Sequence, residues 1–493
     1  NYYEYIEELG ADRDGYVLTN FPYLNNGPKD LIGNSGKGKE YAYRSYFGRV
    51  IYSYADRYLF QANIRHDGSS RFAKKHRWGT FPSFSAGWVL SEENFMKNLN
   101  WDWLSFLKIR ATWGALGNER IGDFPYMSTI AFGNTIFYQN NGIYFDQTAS
   151  QQKYAIENVT WEKTESTDIG LDISFLNNRL RVNGDYYWKN TKDMLLAMAI
   201  PDFLGFSDPD VNAGKMSTKG YELNVSWNDH IGDFSYGIAI NFSDFTSKMG
   251  DLQGTQFLGD KVKMEGSEFN EWYGYVSDGL FLTEEDLKNS PKINDKNTQL
   301  GDIKYKDISG PDGVPDGKIS PEYDRVLLGS SLPHFLYGGN INLGYKNFDL
   351  SLAFQGVGKQ NARLAREMVE PFRNNYGNFP AIIDGNYWSP YNTDEQNAVA
   401  KYPRLTHVNK SSNYAMSDYW LFNGGYFRLK NITLGYTFPK EWMNAIGIKG
   451  ARIYASASDL FCLSKYPKGW DPEMGVSEYP ITTSILLGVS VNF

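Results

Sequence analysis

The sequence has little of what several fold classes depend on. Its 493 residues include one cysteine, Cys462, so neither an internal disulfide nor a paired-cysteine metal or redox site is possible. The longest purely apolar run, residues 194–200, is far shorter than the ~20 residues that a membrane-spanning helix needs. The first residues, NYYEY, are not a basic region followed by an apolar core, so we expect a removed signal peptide or a start within a longer protein.

The sequence is also poor in features of enzymes and nucleic-acid-binding proteins. Its net charge is −8 and its basic residues are scattered, which predicts no nucleic-acid partner. The five histidines are far apart, with no HExxH motif and no partner for a nucleophile, so we expect no enzyme. Residues 33–40, GNSGKGKE, are close to a phosphate-binding loop, but Glu40 replaces the Ser or Thr that would hold magnesium.

Aromatic residues are abundant, and apolar residues alternate with polar ones. Aromatics make up 16% of the chain, which suits a protein with aromatic girdles and polar loops. In residues 168–175, Ile169, Leu171, Ile173 and Phe175 share one face, and the residues between them are Asp, Gly or Ser. This period of two is typical of a strand with one apolar and one polar face.

Thirteen such segments are predicted as strands. Most of them span roughly 9 to 13 residues, which fits a tilted bilayer crossing better than a soluble strand. The predicted strands are 42–54, 57–68, 80–90, 105–116, 163–175, 179–190, 219–229, 233–247, 334–345, 347–358, 425–438, 450–459 and 481–493.

The gaps between the strands alternate between tight turns and long loops. This asymmetry is typical of an outer-membrane barrel, and it predicts that turns 55–56, 176–178, 230–232 and 346–347 and Phe493 are periplasmic. Loops 117–162, 248–333 and 359–424 would then be external, whereas gaps 91–104 and 439–449 suit short helical caps. A soluble propeller is disfavoured, because we find no repeat of about 40 to 50 residues.

The predicted fold is therefore all-β: a transmembrane antiparallel β-barrel with long extracellular loops. Residues 1–40, rich in Gly, Asn, Asp and Pro, are interpreted as part of an extracellular loop, and residues 41–493 as the C-terminal portion of the barrel. Thirteen strands leave two open edges, and unpaired edges are not tolerated in lipid, so the remaining strands must come from elsewhere.

Several separate motifs resemble the SusC/RagA family of TonB-dependent outer-membrane transporters. They are DGSSRF (67–72), RWGTFPS (77–83), SAGW (85–88), LKIRATWGALGN (107–118), WEKT (161–164) and FRLKNITLGYTFP (427–439), in the family's order. The terminal Phe493 is similar to the signal by which outer-membrane barrels are recognised for assembly. The resemblance covers nearly all of the chain from about residue 41 onward.

The resemblance implies a 22-stranded barrel around an N-terminal plug, in the outer membrane of a Gram-negative bacterium of the Bacteroidetes type. It implies import of glycan fragments or peptides, with a SusD-like surface lipoprotein as lid, and it requires no cofactor. The implied partners are this lipoprotein, the TonB complex through the missing N-terminal region, the remaining strands and plug, and lipid with lipopolysaccharide. A passive porin or a surface adhesin is the alternative, and an upstream plug with a TonB-binding segment would favour import. Whether the substrate is glycan or peptide stays open.

One loop within 248–333 resembles the calcium-binding loop often found at this point of the family. In DISGPDGVPDGKISPEYDR (307–325), Asp312 and Asp316 take loop positions one and five, with Glu322 or Asp324 as the closing acid. Val314 occupies position three, where an Asp or Asn is expected. Two interpretations stay open: a bound calcium ion, or a turn braced by Gly and Pro.

Aromatic residues of the predicted loops are candidates for ligand contact, because flat rings offer apolar surface at low entropic cost. The same rings could instead pack the loops. The candidates for substrate binding are Tyr138, Tyr144, Tyr387, Trp388 and Trp420. Further loop aromatics are Phe137, Phe145, Tyr376, Phe379, Tyr391 and Trp470.

Overall fold

The computed structural model describes most of the chain with side chains. The described residues are 2–13, 32–128, 130–139, 142–151, 153–198, 200–253, 259–294, 296–373, 377–475 and 478–493. Across these ranges, no helix combines the length and the apolar character needed to cross a membrane.

Strands dominate the described residues. In chain order they are β1 (Tyr2–Arg13), β2 (Ile32–Tyr54), β3 (Tyr58–Ser69), β4 (Trp78–Val89), β5 (Leu104–Asn118), β6 (Ile130–Gln139), β7 (Gly142–Gln151), β8 (Glu162–Phe175), β9 (Leu180–Lys192), β10 (Leu195–Ala197), β11 (Asp210–Asn212), β12 (Met216–Ile231), β13 (Phe234–Met249), β14 (Lys261–Val262), β15 (Glu271–Tyr275), β16 (Ser277–Leu280), β17 (Ile303–Tyr305), β18 (Arg325–Gly329), β19 (His334–Tyr345), β20 (Phe348–Lys359), β21 (Asn361–Arg363), β22 (Leu421–Asn423), β23 (Tyr426–Thr437), β24 (Gly450–Ser464) and β25 (Ser484–Asn492).

The α-helices are short and lie in the connections. They are α1 (Asn94–Lys97), α2 (Glu284–Asn289), α3 (Arg366–Val369), α4 (Asp394–Ala398), α5 (Lys410–Asn413) and α6 (Lys440–Asn444). Helices α1 and α6 fall in gaps 91–104 and 439–449, so the predicted helical caps are confirmed.

One large antiparallel sheet contains all thirteen predicted strands. Fourteen strands are hydrogen-bonded in the order β1-β2-β3-β4-β5-β8-β9-β12-β13-β19-β20-β23-β24-β25. The all-β fold class is thereby confirmed. The register keeps apolar residues together on one face, because side chains alternate along each strand: Ile109 lies opposite Leu171, and Ala111 opposite Ile169. We call this the apolar face of the sheet and the opposite one the polar face.

The strands are joined by tight turns at one end of the sheet and by long connections at the other. Asn177 and Asn178 adopt positive φ values of 57° and 65° between β8 and β9, a conformation that asparagine tolerates better than most residues. The alternation of turn and loop lengths is as the sequence predicts. On which side of the membrane each end lies stays a prediction.

Residues 1–40 contain more regular structure than the sequence indicated. Strand β1 pairs with the first part of β2, from Tyr2 opposite Ala42 to Arg13 opposite Ile32. The rest of β2 pairs with β3, from Tyr43 opposite Ser69 to Tyr54 opposite Tyr58. The interpretation of residues 1–40 as a loop thus missed this strand pair, which extends the sheet beyond the end of β3. Residues 14–31 lie outside the described part of the chain.

Candidate functional site

The two longest connections, 250–333 and 360–425, fold together into one packed unit that we call the loop domain. Its buried core draws on both connections, so the two are packed against each other. The core residues are Tyr275, Leu280, Ile303, Tyr305, Ile319, Met368, Val369, Ile383, Tyr414 and Trp420.

Asp302 is the polar centre of the loop domain. Its side chain is fully buried and accepts hydrogen bonds from the second connection: Arg404 donates to both carboxylate oxygens at 2.8 and 3.2 Å. Asn409 and Asn413 donate to it at 2.8 and 2.9 Å. A buried carboxylate is stable only when it is paired and hydrogen-bonded in this way, so Asp302 locks the two connections together.

Buried tyrosines join the two connections further. The Tyr305 hydroxyl donates to the Ser412 carbonyl oxygen at 2.7 Å, and the Tyr275 amide donates to the Met416 carbonyl oxygen at 2.9 Å. Burial raises the pKa of Tyr305, Tyr414 and Tyr419 well above that of a free tyrosine, because the charged phenolate is poorly solvated there. These hydroxyls are therefore structural donors and not acids.

Trp420 belongs to this core, which corrects its prediction as a ligand contact. It is 2% exposed, its indole N–H donates to the Asn413 carbonyl oxygen at 2.9 Å, and its ring stacks on Tyr414 at 5.1 Å. A ring enclosed in this way has no face left for a ligand. The sequence could not separate this role from ligand contact, because both use an aromatic ring in a loop.

Tyr387 and Trp388 do meet at one site. They line a cleft of about 580 Å³ on the loop domain together with Tyr391, which is 96% exposed, and Arg404. Gly301 lets the Trp388 ring pack closely against the backbone, since a Cβ there would lie 2.3 Å from the ring, and its φ of +83° also favours glycine. The cleft combines aromatic rings with polar groups, and one of these, Arg404, pairs with the buried Asp302.

The other candidate aromatics lie apart from this cleft. Tyr138 and Tyr144 lie on the β6–β7 hairpin, where they are 73% and 52% exposed. Phe137 is also exposed there, Phe379 is partly exposed in the loop domain, and Trp470 packs against the loop-domain core. Tyr376 and the side chain of Phe145 lie outside the described residues.

The structure does not bring the predicted calcium ligands of the acidic loop together. Among the described residues, which include all of 305–325, no three His, Cys, Asp or Glu side chains are grouped to hold a metal ion. Asp324 is 1% exposed and accepts from the amides of Ile308, Ser309 and Ser320 at 2.7 to 3.3 Å. Its oxygens are thus directed at backbone N–H groups.

The other predicted calcium ligands, Asp312, Asp316 and Glu322, are not grouped around a shared position either. Asp316 accepts from the Lys318 amide at 3.0 Å, a local turn contact, and Asp312 and Glu322 are exposed. The geometry favours the alternative that the sequence left open, a braced turn.

The polar face of the sheet carries an ion-pair network that the sequence did not reveal. Arg110 on β5 contacts Asp172 at 3.3 Å, Asp185 at 2.6 Å and Asp168 at 3.6 Å, which lie on the next two strands. Further along the sheet, Arg452 pairs with Asp349. The alternation pattern assigns these residues to the polar face, but only the strand register shows that they pair.

A second arginine connects the sheet to its last long loop. The side chain of Arg428 on β23 is only 3% exposed. Its guanidinium contacts both carboxylate oxygens of Asp471 at 2.6 Å and a carboxylate oxygen of Glu473 at 2.6 Å. Because Asp471 and Glu473 lie in connection 465–483, this cluster fixes that loop against the sheet.

The chain is similar to TonB-dependent receptors along most of its length. A family model described as TonB dependent receptor-like, beta-barrel, matches residues 3–460. The TonB-dependent receptor SusC of Bacteroides thetaiotaomicron is 32% identical over 468 residues, which are 91% of this chain and 43% of that protein. The TonB-dependent receptor P3 of Formosa agariphila is 31% identical over 453 residues, 87% of this chain and 42% of that protein.

The fold has a solved counterpart. The structure of the RagAB peptide transporter superposes with a TM-score of 0.79 at 22% identity and covers 100% of this chain and 52% of that one. The chain spans less than half the length of the SusC and P3 relatives. These similarities confirm the resemblance to the SusC/RagA family. The chain therefore belongs to the outer-membrane β-barrel family of TonB-dependent receptors.

Proposed function

We propose that this chain is the barrel portion of an energised outer-membrane importer that takes up nutrient oligomers, either glycan fragments or peptides. The observation that carries the proposal is the match of the TonB-dependent receptor barrel model to residues 3–460. In the complete protein, the missing strands would close the barrel, and a plug would occupy its interior and couple to the TonB complex. The cell would be a Gram-negative bacterium of the Bacteroidetes type, with lipid and lipopolysaccharide around the barrel.

The arrangement of the loops supports ligand capture from outside the cell. The loop domain is a rigid platform because Asp302 and the buried tyrosines join its two connections. A rigid platform binds at a lower entropic cost than mobile loops. A SusD-like lipoprotein would close over this side, and the cleft formed by Tyr387, Trp388 and Tyr391 would contact the oligomer.

Uptake measured in the native bacterium tests the function. Labelled oligosaccharides and oligopeptides are offered to wild-type cells, to cells without the gene and to cells treated with a protonophore. We expect uptake of one substrate class to disappear in both the deletion and the de-energised cells. Uptake that survives the protonophore would favour a passive porin, and unchanged uptake with lost surface adhesion would favour an adhesin.

Substitution of Tyr391 tests the cleft. Tyr391→Ala removes an exposed ring without disturbing the core, and we expect about threefold to tenfold weaker binding of the transported oligomer by the full-length protein. Tyr479→Ala is the matched control, since Tyr479 is 81% exposed in connection 465–483 and does not line the cleft. Equal affinities of the two variants and the wild type would place ligand contact elsewhere.

A further inference from the structure

Two cavities adjoin at helix α3, where the loop domain meets connection 465–483. One, of about 400 Å³, is bordered by β14, β15 and β21, and the other, of about 510 Å³, lies between α3 and Trp470. Glu367 lines both cavities. We call the pair the basic groove.

The walls of the basic groove are held in place by contacts within the protein. The Trp272 indole N–H donates to the Asn361 carbonyl oxygen at 2.5 Å, which joins β15 to β21. The Tyr466 ring packs edge-on against Phe422 with centroids 4.9 Å apart, and Trp470 packs against the loop-domain core. A groove with fixed walls binds a ligand at a lower entropic cost than mobile loops do.

Basic side chains outnumber acidic ones in the basic groove. Two acidic side chains, Glu367 and Glu370, line it. The neighbouring Asp260 pairs with Arg363, and the neighbouring Lys410 pairs with Glu370. With these two included, six basic groups meet three acidic ones, an excess of three positive charges in a chain whose net charge is −8. The five basic side chains that line the groove are Lys261, Arg363, Arg366, Arg373 and Lys468.

The two glutamates of the groove are neutralised within the protein. Glu367 pairs with Arg373 at 2.5 Å. The side chain of Glu370 is only 3% exposed and contacts Arg366 at 2.6 Å and Lys410 at 3.4 Å. Neither carboxylate is therefore left to repel an anionic ligand.

Several cations of the groove remain available to a ligand. Lys261 in one cavity and Lys468 in the other are exposed, and neither has an acidic partner among the described residues. Arg366 lies between them in sequence and uses its Nε for Glu370, while its side chain stays 46% exposed. Its terminal N–H groups can donate to a bound anion.

Aromatic rings lie beside these cations. Trp272 and Tyr466 line the first cavity, and Phe379 and Trp470 line the second. The Lys261 ammonium lies 4.7 Å from the centroid of the Trp272 ring. A ligand that contacts this ring therefore also meets a positive charge.

Two side-chain amides add polar groups to the first cavity. Gln360 and Asn361 donate to the Ser331 and Leu328 carbonyl oxygens, each at 3.3 Å. Their own side-chain oxygens accept no hydrogen bond from the described residues. These oxygens can accept from hydroxyl groups of a ligand.

We propose that the basic groove binds an acidic oligosaccharide, one that carries carboxylate or sulfate groups on its sugar rings. The anionic groups contact Lys261, Arg366 and Lys468, and sugar rings lie against Trp272 and Tyr466. A glycan fits better than an acidic peptide, because each acidic sugar presents a flat apolar face and an anion on one rigid unit, whereas Asp and Glu side chains have no such face. The inference rests on the proposed import function and gives a substrate class to a second site, apart from the aromatic cleft.

Calorimetric titration of the full-length protein tests the ligand class. The probes are hexamers of galacturonate, mannuronate and sulfated galactose, each with a neutral counterpart of equal length, and hexaglutamate. We expect at least one acidic hexamer to bind wild type at least about tenfold more tightly than its neutral counterpart and than hexaglutamate. Lys261→Glu/Lys468→Glu should weaken binding of that hexamer by at least about tenfold and leave the neutral counterpart unchanged.

A matched control separates the site from general charge. Lys306→Glu/Lys318→Glu makes the same charge change at two exposed lysines of connection 250–333 that line neither cavity, and the acidic hexamer should bind it as it binds wild type. Tyr466→Ala should weaken binding of the hexamer by about threefold to tenfold, and Tyr466→Phe should retain most of it.

Three results would overturn the inference. No acidic hexamer binds more tightly than its neutral counterpart, or both double variants lose the hexamer equally, or hexaglutamate binds as tightly and is lost in the same variant. The last result would assign the groove to acidic peptides. Energised uptake of a neutral oligomer without binding of any acidic hexamer would refute this inference alone, whereas binding in the groove without energised uptake would refute the proposed function alone.

Discussion

Asp302 joins the two connections of the loop domain through Arg404, Asn409 and Asn413. Asp302→Ala leaves the Arg404 guanidinium and two asparagine amides without their acceptor, and removing one partner of a buried ion pair costs about 3–5 kcal/mol. We expect amide hydrogen exchange in residues 299–305 and 404–417 of the full-length protein to accelerate strongly. The sheet should keep its protection, because its hydrogen bonds do not pass through Asp302.

Asp312→Ala is the matched control for this substitution. Asp312 is exposed and lies in the same connection, so its loss should leave exchange in both segments nearly unchanged. If Asp302→Ala behaved like the control, the two connections would be held together by apolar packing alone.

The buried tyrosines predict an alkaline limit for the loop domain. Burial raises the pKa of Tyr305, Tyr414 and Tyr419, so the folded loop domain retains these protons while the unfolded chain loses them above about pH 10. Stability from these groups is complete below that pH and is lost as pH rises further. Absorbance at 295 nm should therefore show a late, cooperative step that coincides with a change in tryptophan fluorescence.

Tyr305→Phe sharpens this test. It removes one titrating hydroxyl and leaves the Ser412 carbonyl oxygen without its donor, which costs about 1–3 kcal/mol. The late step should become smaller and begin at lower pH than in wild type. A step of unchanged size and position would show that Tyr305 ionises without opening the loop domain.

The segment 307–325 is expected to be ordered without calcium. Asp324 supplies the brace, so Asp324→Ala should accelerate exchange of the Ile308, Ser309 and Ser320 amides, while Asp316→Ala should change little outside its own turn. Hydrogen exchange with calcium and with chelator should give the same protection in wild type. Protection that rises with calcium and disappears in Asp316→Ala would restore the cation site that the sequence suggested.

The strands are predicted to cross the membrane with their tight turns in the periplasm. In a Cys462→Ser background, His230→Cys beside the β12–β13 turn should react with an impermeant thiol reagent only after the outer membrane is opened. Asp312→Cys should react on intact cells. The reverse pattern would invert the topology and place the loop domain inside.

An element can be predicted from the sequence when its side chains alternate between an apolar and a polar face. The thirteen long strands were predictable because each has one apolar and one polar face, so residues such as Ile169 and Leu171 alternate visibly. Strand β1 and the β6–β7 hairpin were missed, because residues 1–40 and 117–162 were interpreted as loops. The short strands of the loop domain were missed, because they span only two to five residues and cannot show a sustained alternation.

At the scale of the whole molecule, the sheet has two edges without a strand partner among the described residues. Strand β25 pairs with β24 alone, and its Ile485, Leu487 and Val489 are 70% or more exposed. At the other end, the part of β2 that pairs with β3 has no neighbour on its second side, because β1 pairs only with residues 32–42. In lipid, every unpaired N–H and C=O group costs several kcal/mol, so such edges must be closed.

These edges predict how the 493-residue chain behaves when it is produced alone. Refolded into detergent, it should aggregate or form edge-to-edge oligomers, because exposed strand edges are templates for pairing. Co-refolding with the N-terminal remainder of the protein as a separate chain should supply the missing strands. A complex should then form that migrates faster on gels before boiling than after, as closed outer-membrane barrels resist detergent. Recovery of the chain alone as a monomer with that heat-dependent mobility would show that its strands close on themselves, and the part-barrel interpretation would be wrong.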